Sequence, residues 1–143
     1  MPDRVFIDTN ILIYSISNDE TKKPKAKDLI LSYPDSVVSS QVVSEFASIC
    51  LTKNLLPEDE VRTLLSGFMD SFEFAPVVES TISKALQIRK TYKYSFWDSL
   101  IVAAALENNC TILFSEDMQD GQTIEKSLKI VNPYKKQTTK GLR

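Results

Sequence analysis

The 143-residue chain predicts an α/β fold, a three-layer α/β/α sandwich around a central parallel sheet. Three observations carry that expectation. Short apolar runs rich in β-branched or aromatic residues recur along the chain; longer segments with helical spacing separate them; and strands that alternate with helices build parallel sheets covered on both faces. With 43% apolar residues, 25% charged residues and only three glycines, the composition is that of a globular domain with a substantial core.

The first strand is expected at 5–7, where Val5, Phe6 and Ile7 run into Asp8-Thr9-Asn10 before an apolar pattern resumes at Ile11. The lysine-rich stretch 18–27 reads as a peripheral turn region. A second strand at 37–38 precedes a helix that Ser40 would cap, with Val42, Val43, Phe46, Ala47, Ile49 and Cys50 recurring at three and four. Pro57, followed by Glu58 and Asp59, opens the next helix, which carries Val61, Leu64, Leu65, Phe68 and Met69. A strand at 74–77 and helices at 79–92 and 96–107 follow, with Trp97 expected in the core. Strands at 111–114 and 128–131 complete the domain, 1–134. The basic remainder, 135–143, is expected to be a disordered tail.

Composition narrows the chemistry. The chain contains no histidine, which removes the serine and cysteine triads, the HExxH metalloproteases and most zinc chemistry. Cys50 and Cys110 lie in apolar surroundings and read as buried free thiols. A net charge of −2 argues against a uniformly basic nucleic-acid clamp and leaves room for a local basic patch. Apolar runs such as LIVAAAL are far shorter than the roughly 18 residues that span a bilayer, so the cytoplasm is the expected compartment.

The acids then become informative. Ligands of open α/β sheets bind beyond the carboxyl ends of the strands. Asp8 directly follows the first strand, and Asp117 follows the 111–114 strand. Glu45 and Asp98 lie near the starts of two helices that should return to the same edge. Taken singly, Asp8 also suits a helix cap, Glu45 a solvated flank, Asp117 a turn, and Asp98 the capping box Ser95-Phe96-Trp97-Asp98. Yet Asp98 and Ser99 are the only polar residues between Phe96 and Leu106, and a charge amid such packing needs compensation. Four gathered carboxylates repel one another, and a divalent cation relieves that repulsion. With oxygen donors only, the expected ion is Mg²⁺ or Mn²⁺.

The motifs FIDTNILIY, SSQVVSEF, YSFWDSLIVAAAL and ILFSEDMQDG, in that order and closed by VNPY, resemble those of the PIN domain family, in particular the VapC-type toxin ribonucleases. The likeness covers 4–134. It implies a PIN fold and a metal-dependent ribonuclease, the toxin of a toxin–antitoxin pair, with RNA as substrate, a small antitoxin as partner and a homodimer as assembly. Asp8, Glu45, Asp98 and Asp117 would be the acidic quartet that holds the metal. Asn10 and Ser115 match positions that orient the acids or a water, though a helix cap and a turn hydroxyl describe them equally well. Glu116 is an extra acid near the site, placed to coordinate a second ion or, the favoured reading, to face solvent, and Asp120 stands where many relatives have histidine. One or two ions would lower the pKa of a water and orient it for in-line attack, leaving 5′-phosphate products.

Arg89, Lys90 and Lys93, interleaved with Tyr92 and Tyr94, form a candidate RNA-binding segment. Lys22, Lys23, Lys25 and Lys27 form a second basic patch. A haloacid-type phosphatase would need another aspartate two positions after Asp8, where Asn10 stands; a receiver domain would need paired N-terminal acids. The remaining alternative is a catalytically silent PIN scaffold that binds RNA or a protein, against which all four intact acids weigh.

Overall fold

The computed structural model describes residues 3–135. The element order is β1 (Val5–Ile7), α1 (Thr9–Ser15), α2 (Lys22–Ser32), β2 (Val37–Ser39), α3 (Ser40–Thr52), α4 (Glu58–Ser71), β3 (Glu73–Ala75), α5 (Glu79–Tyr92), α6 (Phe96–Glu107), β4 (Ile112–Phe114), β5 (Thr123–Ile124) and β6 (Leu128–Val131). The six strands form one sheet in the order β3-β2-β1-β4-β6-β5. Every pairing is parallel except that of the edge strand β5 with β6. The expected tail lies outside the described residues, except for Lys135.

The strand order positions the site. From β1 the chain steps outward to β2 and β3, then crosses back over the sheet through α5 and α6 to place β4 on the other side of β1. Because such crossovers are right-handed, reversing the direction of travel puts α1–α4 on one face and α5–α6 on the other. The reversal leaves a crevice between the carboxyl ends of β1 and β4. The register there is tight: Ile7 pairs with Phe114, and the Asp8 amide donates to the Phe114 carbonyl at 3.1 Å.

The central strands are apolar on both faces because helices cover both. Phe6, Ile7, Val37, Val38, Leu113 and Ile130 are fully buried, as is Phe46 of α3, whose ring meets Phe68 of α4 edge-on at 5.1 Å. Both cysteines are free and buried, as composition predicts. No helix among the described residues is long and apolar enough to cross a membrane.

Four local expectations need correction. The 18–27 stretch does not form a turn throughout, because α2 begins at Lys22. Pro24 fits there as the third helical residue, whose N–H has no partner within the helix in any case, and Asp19 Oδ1 accepts from the amides of Thr21 and Lys22. The cap of α3 is Ser39, whose Oγ accepts from the Val42 amide; Ser40 Oγ instead accepts from the Val77 amide at 2.8 Å. Strand β5 has only two residues, too few for an alternating pattern to register. Trp97 is not a core residue: it is 62% exposed.

Candidate functional site

Each acid owes its place to a different element. Asp8 ends β1 and caps α1, with Oδ1 accepting from the Thr9 amide at 2.7 Å. Its other oxygen accepts from Ser115 Oγ at 2.8 Å, and Ser115, the residue after β4, is completely buried. Glu45 lies one turn into α3 and accepts from Thr9 Oγ1 at 3.0 Å. Asp117 follows β4 and accepts from Asn10 Nδ2 at 3.1 Å. Asp98 is in the first turn of α6, where its amide donates to Ser95 Oγ and its carboxyl group also has the Ser95 side chain as a hydrogen-bond partner.

All four carboxylates, with Asn10, line a single cavity of about 390 Å³ at the β1/β4 crevice. A larger cavity of about 680 Å³, around Arg4, Tyr33 and Thr111, lies at the amino ends of the same two strands, away from the edge where loops and helix starts converge. The four acids lie in the smaller one.

The charges there disturb one another. Asp8 is 7% exposed, and burial raises its pKa from 3.8 to about 6 against the hydrogen bonds from Ser115 and Thr9, which lower it; the charges of Glu45 and Asp117 add a smaller upward push. Burial also raises Asp98, and the charge of Asp117 adds to it. No ion pair among the described residues compensates any of the four. Lys53 lines the cavity, but its ammonium pairs with none of them.

The donors are oxygens throughout: four carboxylates, Ser115, Thr9 and the Asn10 carbonyl oxygen, which is buried without a hydrogen-bond partner among the described residues. That set suits a hard divalent cation such as Mg²⁺ and not a thiolate- or imidazole-seeking ion. Among the described residues, no group of three or more acidic, cysteine or histidine side chains is closed up around a common point in the manner of a metal centre. Binding an ion would therefore draw the carboxylates inward against their mutual repulsion.

Glu116 lines the same cavity and does not face open solvent. It accepts from Tyr14 OH at 2.6 Å and pairs with Lys22, whose ammonium lies 4.6 Å from the Tyr14 ring centre and 5.4 Å from that of Tyr134. Against the upward push of burial, those hydrogen bonds hold Glu116 below its usual range. Lys22 is thus committed to an ion pair and does not belong to a free basic patch. Asp120 fastens the segment that follows β6, accepting from the Asn132 amide at 2.7 Å and facing Lys135 at 3.7 Å. Arg89, Lys90 and Lys93 line a separate cavity of about 440 Å³ with Leu86 and Tyr94. Lys93 turns the chain out of α5 in the left-handed region, at φ 67°.

Sequence reasoning missed Thr9, which bridges Asp8 and Glu45. Its place inside the DTN tripeptide was the available signal. It also missed Gln41 and Trp97 on the cavity wall.

The PIN domain family model matches residues 5–120. Among solved structures, a toxin–antitoxin complex from Klebsiella pneumoniae is 23% identical, with a TM-score of 0.71 over 91% of this chain and 98% of that one. VapC20 of Mycobacterium tuberculosis, a toxin that cleaves the sarcin–ricin loop, is 16% identical, with a TM-score of 0.65 over 79% and 91%. VapBC2 of Rickettsia felis, bound to a DNA fragment from its promoter, is 17% identical, with a TM-score of 0.64 over 88% and 96%. These likenesses establish the shared fold. No curated protein matches the chain.

Asp8 makes the stability of the metal-free protein depend on pH. The unfolded chain releases this proton near 3.8 and the folded chain near 6, so between those values the folded state binds more protons and stability falls as pH rises. The shift corresponds to about 3 kcal/mol lost between roughly pH 4 and pH 7. Urea unfolding across that range should show the wild type losing stability relative to Asp8→Asn, and parallel profiles would show that Asp8 ionises normally.

Proposed function

The chain belongs to the PIN domain family, and on that premise we propose that it is a metal-dependent ribonuclease of the VapC type, the toxin of a toxin–antitoxin pair, which hydrolyses RNA phosphodiester bonds. The observation that carries this reading is the meeting of Asp8, Glu45, Asp98 and Asp117 in one cavity, where none of the four forms an ion pair among the described residues. Such a cluster costs stability, and a site for a divalent ion is what it provides in return.

Asp8, Glu45, Asp98 and Asp117 would hold Mg²⁺ or Mn²⁺, and the bound ion supplies Lewis acidity that makes water a better nucleophile and offsets charge on the phosphate. The chain's own residues do the positioning. Ser115 and the Thr9 amide fix both oxygens of Asp8, Thr9 Oγ1 fixes Glu45, and Asn10 fixes Asp117 while its buried carbonyl oxygen remains available. Lys22 keeps Glu116 occupied, so four acids face the substrate and not five. Arg89, Lys90 and Lys93, gathered around their own cavity, would take phosphates of the RNA strand away from the cut.

Two partners belong to the proposal. A small antitoxin would cover the acid cavity, in keeping with the toxin–antitoxin complexes that share the fold. A second copy of the chain would cover the exposed stripe Val78, Ile82 and Leu86, spaced by four along α5.

Labelled RNA incubated with the pure chain should be cut in the presence of Mg²⁺ or Mn²⁺ and spared in EDTA. Asp8→Asn and Asp98→Asn should each slow cleavage roughly 100-fold or more. Unchanged rates in either variant would refute the quartet, and no cutting of any RNA would refute the nuclease. Sedimentation should find the parent dimeric and Leu86→Glu monomeric; a monomeric parent would remove the dimer from the account.

A further inference from the structure

Trp97 is the chain's only tryptophan and its most exposed aromatic ring at the acid cavity. From Ser99 to Ala105 every residue of α6 is buried, yet Trp97, one turn earlier, is 62% exposed. A large apolar ring left in water at a catalytic rim calls for an occupant.

The ring is held, not loose. Phe96 meets it edge-on, with centroids 5.2 Å apart, and Gln41 Nε2 donates to the Trp97 carbonyl at 3.1 Å. On one side Trp97 lines the acid cavity. On the other it walls an apolar groove of about 430 Å³ with Val77 and Leu100, and Gln41 and Glu45 line both spaces. The groove therefore adjoins the place where a phosphodiester would be cut, with Trp97, Gln41 and Glu45 as the shared wall.

We infer that this groove is a nucleobase subsite, in which an unpaired base next to the scissile phosphate stacks on Trp97. The inference rests on the ribonuclease reading and adds a substrate contact to it. Every base offers a π-face, so an aromatic platform beside a phosphate site grips single-stranded RNA whatever the sequence. A groove of this volume is of the size that takes small ligands. Gln41 Oε1 is buried without a hydrogen-bond partner among the described residues. A base's exocyclic amino group can meet that need for a donor, whereas the apolar face of a partner helix cannot.

Direct binding in EDTA, where no cleavage is expected, tests this. Short single-stranded oligoribonucleotides should quench Trp97 fluorescence, and the same strands with an abasic residue at the contacted position should quench it less. By anisotropy of labelled strands, Trp97→Ala should bind roughly 5- to 150-fold more weakly, while Trp97→Phe keeps part of the affinity. In cleavage, Trp97→Ala should raise KM with little change in kcat. Equal affinity of wild type and Trp97→Ala would overturn the subsite, as would equal quenching by intact and abasic strands. Loss of self-association or of antitoxin binding in Trp97→Ala, with RNA affinity unchanged, would assign the ring to a protein interface and overturn it too. If the wild type binds and quenches but cuts no RNA with either metal, the nuclease reading fails while the ring's contact with the base stands.

Discussion

Mutual repulsion among four carboxylates at one sheet edge is the constraint on which the rest of the structure depends. The reversal of strand order between β1 and β4 opens the crevice, and backbone pairing of Asp8 with Phe114 fixes its floor. Helices α3 and α6 then bring Glu45 and Asp98 to the same opening from opposite faces of the sheet. A rigid apolar core makes this possible, since strands buried on both sides cannot shift to relieve the charge. Burial is the main reason that the pKa values of Asp8 and Asp98 are raised, and the charges of their neighbours add to it.

Around that cluster the polar contacts fall into two groups. Ser115, Thr9 and Asn10 hold the acids by hydrogen bonds that position them without neutralising them. Lys22 instead neutralises Glu116, with a hydrogen bond from Tyr14 beside it, and Asp120 is spent on fastening the segment that follows β6. Six acids therefore lie near the crevice, but only four are left uncompensated. That division of labour separates a site from a surface that is merely acidic.

Much of the fold was legible because the signals were local and strong. The β-branched runs at Val5 to Ile7 and Val37 to Val38, and the periodic helices α5 and α6, mark themselves. The order of the acids along the chain, combined with the rule that ligands sit at carboxyl ends, pointed to the one cavity that all four acids line. Other features were not legible, for physical reasons. Lys22 and Glu116 are 94 positions apart, so no local pattern announces their pairing. Helix α2 begins in a lysine-rich run with weak amphipathic patterning and a proline, which resembles a turn until Asp19 is seen capping it. Trp97 sits in an otherwise apolar helix and so reads as core; only tertiary packing shows that the first turn emerges at the cavity rim.

The claim beneath all of this is that the four acids are tolerated together because a hard divalent cation joins them. Electron paramagnetic resonance of Mn²⁺ titrated into the protein tests it without reference to any substrate. The free-ion signal should fall as protein is added to the wild type and should persist with Asp8→Asn or Asp98→Asn. Mn²⁺ that stays free beside the wild type, or binds equally well to both variants, would contradict the account.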